Sequence, residues 1–159
     1  MNETPDYVEV EVSIAATPDA VWALVSDINV PARFSREFKG GEWIDSPGLG
    51  ATFRGDNAVG EFKWSTISVV TEFEVNESFA WTVGSVEDPV ATWGFELMPH
   101  NGEVMLKMHA SMGPAMSPPR ASAAKDPENA EVIISKRLHQ WSKNMNATVE
   151  GIKLLCEQK

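Results

Sequence analysis

Residues 134–155 read ISKRLHQWSKNMNATVEGIKLL. Ile134, Leu138, Trp141, Met145, Thr148, Ile152 and Leu155 recur at steps of four, three, four, three, four and three. That spacing lays them along one side of an α-helix of about six turns, apolar except at Thr148. A helix with one apolar stripe must bury it against another element, and the rest of the chain decides which.

Upstream the period changes from helical to alternating. Val8, Val10, Val12 and Ile14 share one face of a strand over Tyr7 to Ile14, with Glu9, Glu11 and Ser13 on the other. Thr17 is a good N-cap and Pro18 suits the first helical position. A helix carrying Val21, Trp22, Leu24, Val25 and Ile28 follows and ends or kinks at Pro31. A second short turn of helix is expected near Ala32 to Arg36. Strands are then expected at Glu42 to Asp45 and Ala51 to Arg54, with Gly55, Asp56, Asn57 and Gly60 around a hairpin connection. Phe62 to Val75 is long for a strand, and its apolar phase slips from even (Phe62, Trp64) to odd (Ile67, Val69, Phe73, Val75), the mark of a β-bulge that bends a sheet. Phe79, Trp81 and Val83, then Trp93, Phe95 and Leu97, then Val104 to Met112 alternate in turn. Gly113 to Pro127 has four prolines and little period, so it reads as a long loop and a candidate lid, with the last helix starting at Asp126 or Pro127. The expected order is one strand, one or two short helices, six strands and one long helix. Strands joined by short turns pair antiparallel, so this is an α+β single domain over residues 1–159, with the helix packed on one face of the sheet.

Bulk composition narrows the partners. The net charge is −10, and the first cation, Arg33, follows Glu3, Asp6, Glu9, Glu11, Asp19 and Asp27. Phosphate surfaces are held by clustered cations, so nucleic acid and anionic membranes are not expected partners. No apolar run approaches the ~18 residues of a membrane span, which predicts no integral insertion. The polar start Met1 to Asp6 does not read as a signal peptide, and the single Cys156 allows no intrachain disulfide; a cytoplasmic home is the expectation. Asn76-Glu77-Ser78 and Asn146-Ala147-Thr148 fit the glycosylation pattern only by chance on that reading. His100, His109 and His139 lack metal-ligand spacing, and no nucleotide or nucleophile motif is present, so neither metal nor cofactor is expected.

Four segments carry a resemblance that covers Val8 to Glu157. They are Thr17-Pro18-Asp19-Ala20-Val21-Trp22 with Ser26-Asp27-Ile28; Gly50 to Asn57 with Gly60 and Trp64; Phe79-Ala80-Trp81 with Trp93 to Leu97; and Met145 to Lys153. In this order the chain resembles the START-like (SRPBCC) superfamily, and more closely its polyketide cyclase/dehydrase-like members, relatives of the birch pollen allergen. The resemblance implies a helix-grip fold: a curved seven-stranded antiparallel sheet wrapped around a long C-terminal helix. It also implies a cavity for a lipid-like or aromatic molecule. Some relatives cyclise or dehydrate polyketides and others carry lipids or quinones.

The residues expected to line such a cavity are Trp64, Trp81, Trp93, Phe95, Met108, Leu138, Trp141 and Met145, where the apolar faces of sheet and helix meet. Trp22 and Trp43, the other two of the six tryptophans, read as core. Asn57 reads as a turn former, Glu72 as solvated, and Thr148 as bonding back to its own helix. His109 is a candidate acid or base that alternation places opposite the apolar face. Two classes stay open: a binding module for a hydrophobic small molecule, and a cyclase or dehydratase using the same cavity. The ligand's identity and a homodimer stay open as well.

Overall fold

The computed structural model describes residues 6–158; Met1–Pro5, most of the polar start read above as no signal peptide, and Lys159 lie outside them. Seven strands form one antiparallel sheet: β1 (Tyr7–Ile14), β2 (Phe38–Trp43), β3 (Thr52–Val59), β4 (Phe62–Glu74), β5 (Ser78–Gly84), β6 (Pro89–His100) and β7 (Glu103–Met112), in the order β1-β7-β6-β5-β4-β3-β2. Three helices accompany it, α1 (Pro18–Val25), α2 (Pro118–Lys125) and the 28-residue α3 (Ala130–Glu157). This is the helix-grip architecture. The first and last strands close the sheet on one side: β1 pairs antiparallel with β7, Val8 opposite Ala110 and Ile14 opposite Val104.

Local chemistry sets the helix starts. The Thr17 hydroxyl accepts the Ala20 N–H at 3.2 Å, and Pro18 occupies the first turn of α1. Pro31–Arg33 forms the expected second turn, as a 3-10 helix. α1 ends earlier than the apolar pattern implied. The Ser26 hydroxyl bonds back to the Trp22 carbonyl at 2.7 Å, and Ile28 is buried from the turn that follows.

The Gly113 to Pro127 loop is corrected. Pro118–Lys125 is helical, with both prolines in its first turn, where the missing N–H costs nothing, and the Ala-rich remainder propagates it. Arg120 fastens this helix to the end of β7, donating to the Met112 and Gly113 carbonyls at 3.1 and 3.0 Å and to the Asp6 carboxylate at 2.7 Å. A 3-10 turn at Pro127–Asn129 precedes α3, which begins at Ala130 rather than at Asp126 or Pro127.

The curvature comes from irregularities in pairing. In β4 the register shifts between Val70 and Glu72, so Val70 and Phe73 both face inward, and Phe73 meets Trp22 of α1 edge-on with ring centroids 5.4 Å apart. The bulge therefore lies further along than the apolar phase indicated. Ile67 is 49% exposed on the convex face, and Thr66 and Ser68 take the concave one. In β2 the shift falls between Phe38 and Gly40. Gly40 has φ +134, and a Cβ on Gly41 would lie 2.6 Å from the Arg54 carbonyl oxygen. The strand expected at Glu42 to Asp45 is thus Phe38–Trp43, with Lys39 the extra residue at its bulge and Gly40 and Gly41 paired with β3.

α3 crosses the concave face and is tied down at both sides. Toward β1, Lys153 donates to the Ser13 carbonyl at 2.7 Å and pairs with Glu157, whose carboxylate accepts the Ala15 N–H at 2.8 Å. Toward β2, Asn144 accepts the Arg36 N–H at 3.0 Å. Phe34 lies against Gly151 so closely that a Cβ there would overlap its ring.

Gly151→Ala should therefore destabilise the fold by about 1–2 kcal/mol in chemical denaturation. In a Phe34→Ala background the same change should stabilise, because alanine is the better helix former by roughly 1 kcal/mol. A second outcome concerns acid. The Ala15 N–H and then Lys153 hold the Glu157 carboxyl below the ordinary glutamate range. A lowered folded-state value adds stability above the unfolded value and loses it as pH falls. Glu157→Gln should thus be less stable than the wild type at neutral pH, with the gap closing on acidification through the carboxylate range.

Candidate functional site

Between α3 and the sheet lies a cavity of about 550 Å³, within the range of about 300–1,000 Å³ usual for small-molecule sites. Its floor comes from alternate residues of the middle strands: Phe53, Gly55 and Asn57 of β3; Trp64, Thr66 and Ser68 of β4; Phe79, Trp81 and Val83 of β5. α3 forms the roof, and the start of α2 forms one wall. Phe62, 58% exposed, and Val59 stand at the β3–β4 turn beside it.

Seven of the eight residues expected at a cavity line it: Trp64, Trp81, Trp93, Phe95, Met108, Trp141 and Met145. Leu138 does not. It is buried in the core, one helical turn from Trp141, on the part of the stripe turned away from the void. The aromatic rings contact one another in groups. Trp93 packs on Trp141 with centroids 4.7 Å apart, and Trp81 touches Phe79, Phe53 and Phe95 at 5.2, 6.0 and 6.2 Å. Trp22 and Trp43 lie outside the lining and pack into the core cluster.

Several polar residues of the wall were not singled out by sequence. Thr66 and Ser68 carry no apolar signal, although Ser68 is only 2% exposed. Asn57 is corrected: it lies inside β3 opposite Trp64 and faces the cavity, while among the described residues those with positive φ that are not glycine are Asn76 and Asn101. Thr148 donates to the Asn144 carbonyl at 2.9 Å, as expected. The unforeseen ion pair is Glu37 with Arg137. Both guanidinium Nη atoms reach the carboxylate, at 2.6 and 2.8 Å, and Arg137 also donates to Gln140 at 2.8 Å. The side chains are only 20% (Arg137) and 15% (Glu37) exposed. They lie 100 residues apart in the chain, a separation that no local pattern announces.

His109, Arg54 and Glu72 face away from the cavity. His109 lies on the convex face over Gly94, 3.5 Å from Glu96 and stacked near Tyr7. Arg54 pairs with Glu42 and Asp56 on that same face, and Glu72 is exposed. Among the described residues no three His, Cys, Asp or Glu side chains converge as a metal site would require, and no helix is long and apolar enough to cross a membrane.

Residues 7–140 match the family described as polyketide cyclase / dehydrase and lipid transport. The chain belongs to this family. No curated protein matches it. Among solved structures, the polyketide cyclase-like protein Cgl2372 from Corynebacterium glutamicum is 26% identical with a TM-score of 0.68, over 98% of this chain and 93% of that one. The di-domain ARO/CYC protein StfQ of the steffimycin biosynthetic pathway superposes with a TM-score of 0.73 at 13% identity, over 96% of this chain and 50% of its own, so this family member spans about half of it. Ginseng major latex-like protein 151 from Panax ginseng shares the fold at 7% identity, with a TM-score of 0.65 over 96% and 97% of the two chains.

The ion pair lends itself to a double-mutant cycle. Glu37→Ala and Arg137→Ala should each destabilise the protein, and together by less than their sum. The coupling should be about 1–2 kcal/mol, below that of a fully buried pair because both side chains keep some water. Urea denaturation of the four proteins measures it.

Proposed function

We propose that this protein binds a hydrophobic small molecule, of lipid, polyketide or aromatic type, between α3 and the sheet. The observation that carries the reading is the 550 Å³ space walled by Trp64, Trp81, Trp93 and Trp141. Protein interiors are close-packed, so a void of this size in an aromatic wall is a departure that a guest would fill. The family's description, which joins cyclisation with lipid transport, is consistent with such a guest.

The cyclase or dehydratase alternative would require an acid or base free to exchange a proton with the guest. The carboxylates of the wall are Asp27, exposed at the rim, and Glu37, held at both oxygens by Arg137. None of the three histidines is on the wall. The balance favours binding over catalysis. Burying ~300 Å² of guest at roughly 25 cal/mol per Å² offers about 7 kcal/mol before ordering costs, so micromolar affinity is the ceiling without polar anchors.

The neutral dye Nile red should bind at about one site per chain with blue-shifted emission and quench tryptophan fluorescence. Ser68→Leu places added methyl groups in the cavity. It should leave the denaturation midpoint unchanged or higher, and weaken dye binding by roughly tenfold or more. A variant that stays folded and binds dye as well as the wild type would place the dye elsewhere and sink this reading.

A further inference from the structure

The wall's ionic groups are already committed or outside. Of the four ionisable residues on it, Asp27 and Lys136 are exposed at the rim, while the less exposed Glu37 and Arg137 neutralise each other in a two-point contact. A charged group carried inside would lose its water and find no uncommitted counter-ion, which is strongly unfavourable.

One hydroxyl on the wall is both buried and unpaired. Ser117 is 7% exposed and lines the cavity at the start of α2, and its hydroxyl oxygen is buried with no hydrogen-bond partner. The sequence removes one of its two usual partners. Ser117 is the N-cap, a position where serine ordinarily accepts from the N–H two or three residues on. Here Pro118 and Pro119 follow, so the second helical position has no N–H, and the hydroxyl does not cap the helix. The Ser117 carbonyl accepts the Ala121 N–H at 2.7 Å, as an N-cap carbonyl does. An unpaired buried hydroxyl is costly, and a guest oxygen, as alcohol or carbonyl, would relieve it without bringing charge.

Resting on the reading of this cavity as an apolar binding site, we propose that it discriminates by charge. Its occupant is an uncharged molecule, apolar over most of its surface, with a hydroxyl or carbonyl oxygen that pairs with Ser117. Thr66, Ser68 and Asn57 provide further neutral polar contacts on the floor, and Asp27 and Lys136 remain in water at the rim.

Displacement of Nile red by 1-decanol and by sodium decanoate at pH 8 tests this, since the two differ in the charge of the head group. Decanol should displace the dye at a concentration roughly tenfold or more below decanoate. Ser117→Ala should weaken decanol about fivefold, leave decanoate unchanged, and leave the melting temperature of the empty protein equal or higher, because an unpaired hydroxyl has been removed. Decanoate equal to or tighter than decanol would overturn the charge discrimination. If Lys136→Ala then weakened it, the occupant would be an anion held at the rim. Decanol binding unaffected by Ser117→Ala would overturn the role of Ser117. Failure of Nile red itself to bind would remove the underlying reading of the cavity, whereas dye binding with equal displacement by both compounds would remove this inference alone.

Discussion

One helix has to cover the concave face of a sheet wider than itself, and the protein's other features follow from that mismatch. α3 is fastened at two sides: toward β1 by Lys153 and Glu157, and toward β2 by Asn144 and, through its pair with Glu37, Arg137. Spanning that distance, the helix leaves the inner faces of β3, β4 and β5 beneath it only partly filled. Bulges in β2 and β4 deepen the concavity by turning the strands. The cavity is thus the remainder of a packing problem whose two boundary conditions, the ties at either side, are polar and specific.

The same constraint sets the chemistry of the space. A wall assembled from alternate strand residues is inherently mixed, because each strand contributes whatever its inward phase carries. Phe53, Trp81 and Phe95 make it aromatic; Thr66, Ser68 and Asn57 interrupt that surface with neutral polar groups. The one ion pair on it also fastens the helix, so its charges are spent on structure. Position in the wall therefore does not by itself make a residue available to a guest. Glu37 is held, while the Ser117 hydroxyl is unpaired, Pro119 having removed one of the two N–H groups it could have capped.

The outer face shows the complementary logic. His109 sits on the only residue type that leaves room for it, since a Cβ on Gly94 would approach its ring to 2.7 Å. There it is packed between Tyr7 and Glu96 on the far side of the sheet from the cavity. A histidine in the middle of a strand attracts a catalytic reading. Alternation alone assigned it to the convex face, and the pairing of β6 with β7 puts it there.

By itself the sequence determined what depends on period and on short-range chemistry. The stripe from Ile134 to Leu155, the alternation of β1 and β5 to β7, the Thr17 cap and the inward phase of Trp64, Trp81 and Trp93 are all set within a few residues, because helix and strand have fixed repeats. The reading failed where polarity or glycine disguised the phase. Thr66 and Ser68 point inward without being apolar, Gly40 and Gly41 lie within β2 and pair with β3, and Pro118 and Pro119 open a helix rather than prevent one. Tertiary structure alone decided the rest. Glu37 meets Arg137 across 100 residues, Leu138 turns from the void while Trp141 borders it, and the space between helix and sheet stays open. These outcomes depend on how far apart the two ties hold the sides of the sheet, a distance set by the whole assembly that no single segment encodes.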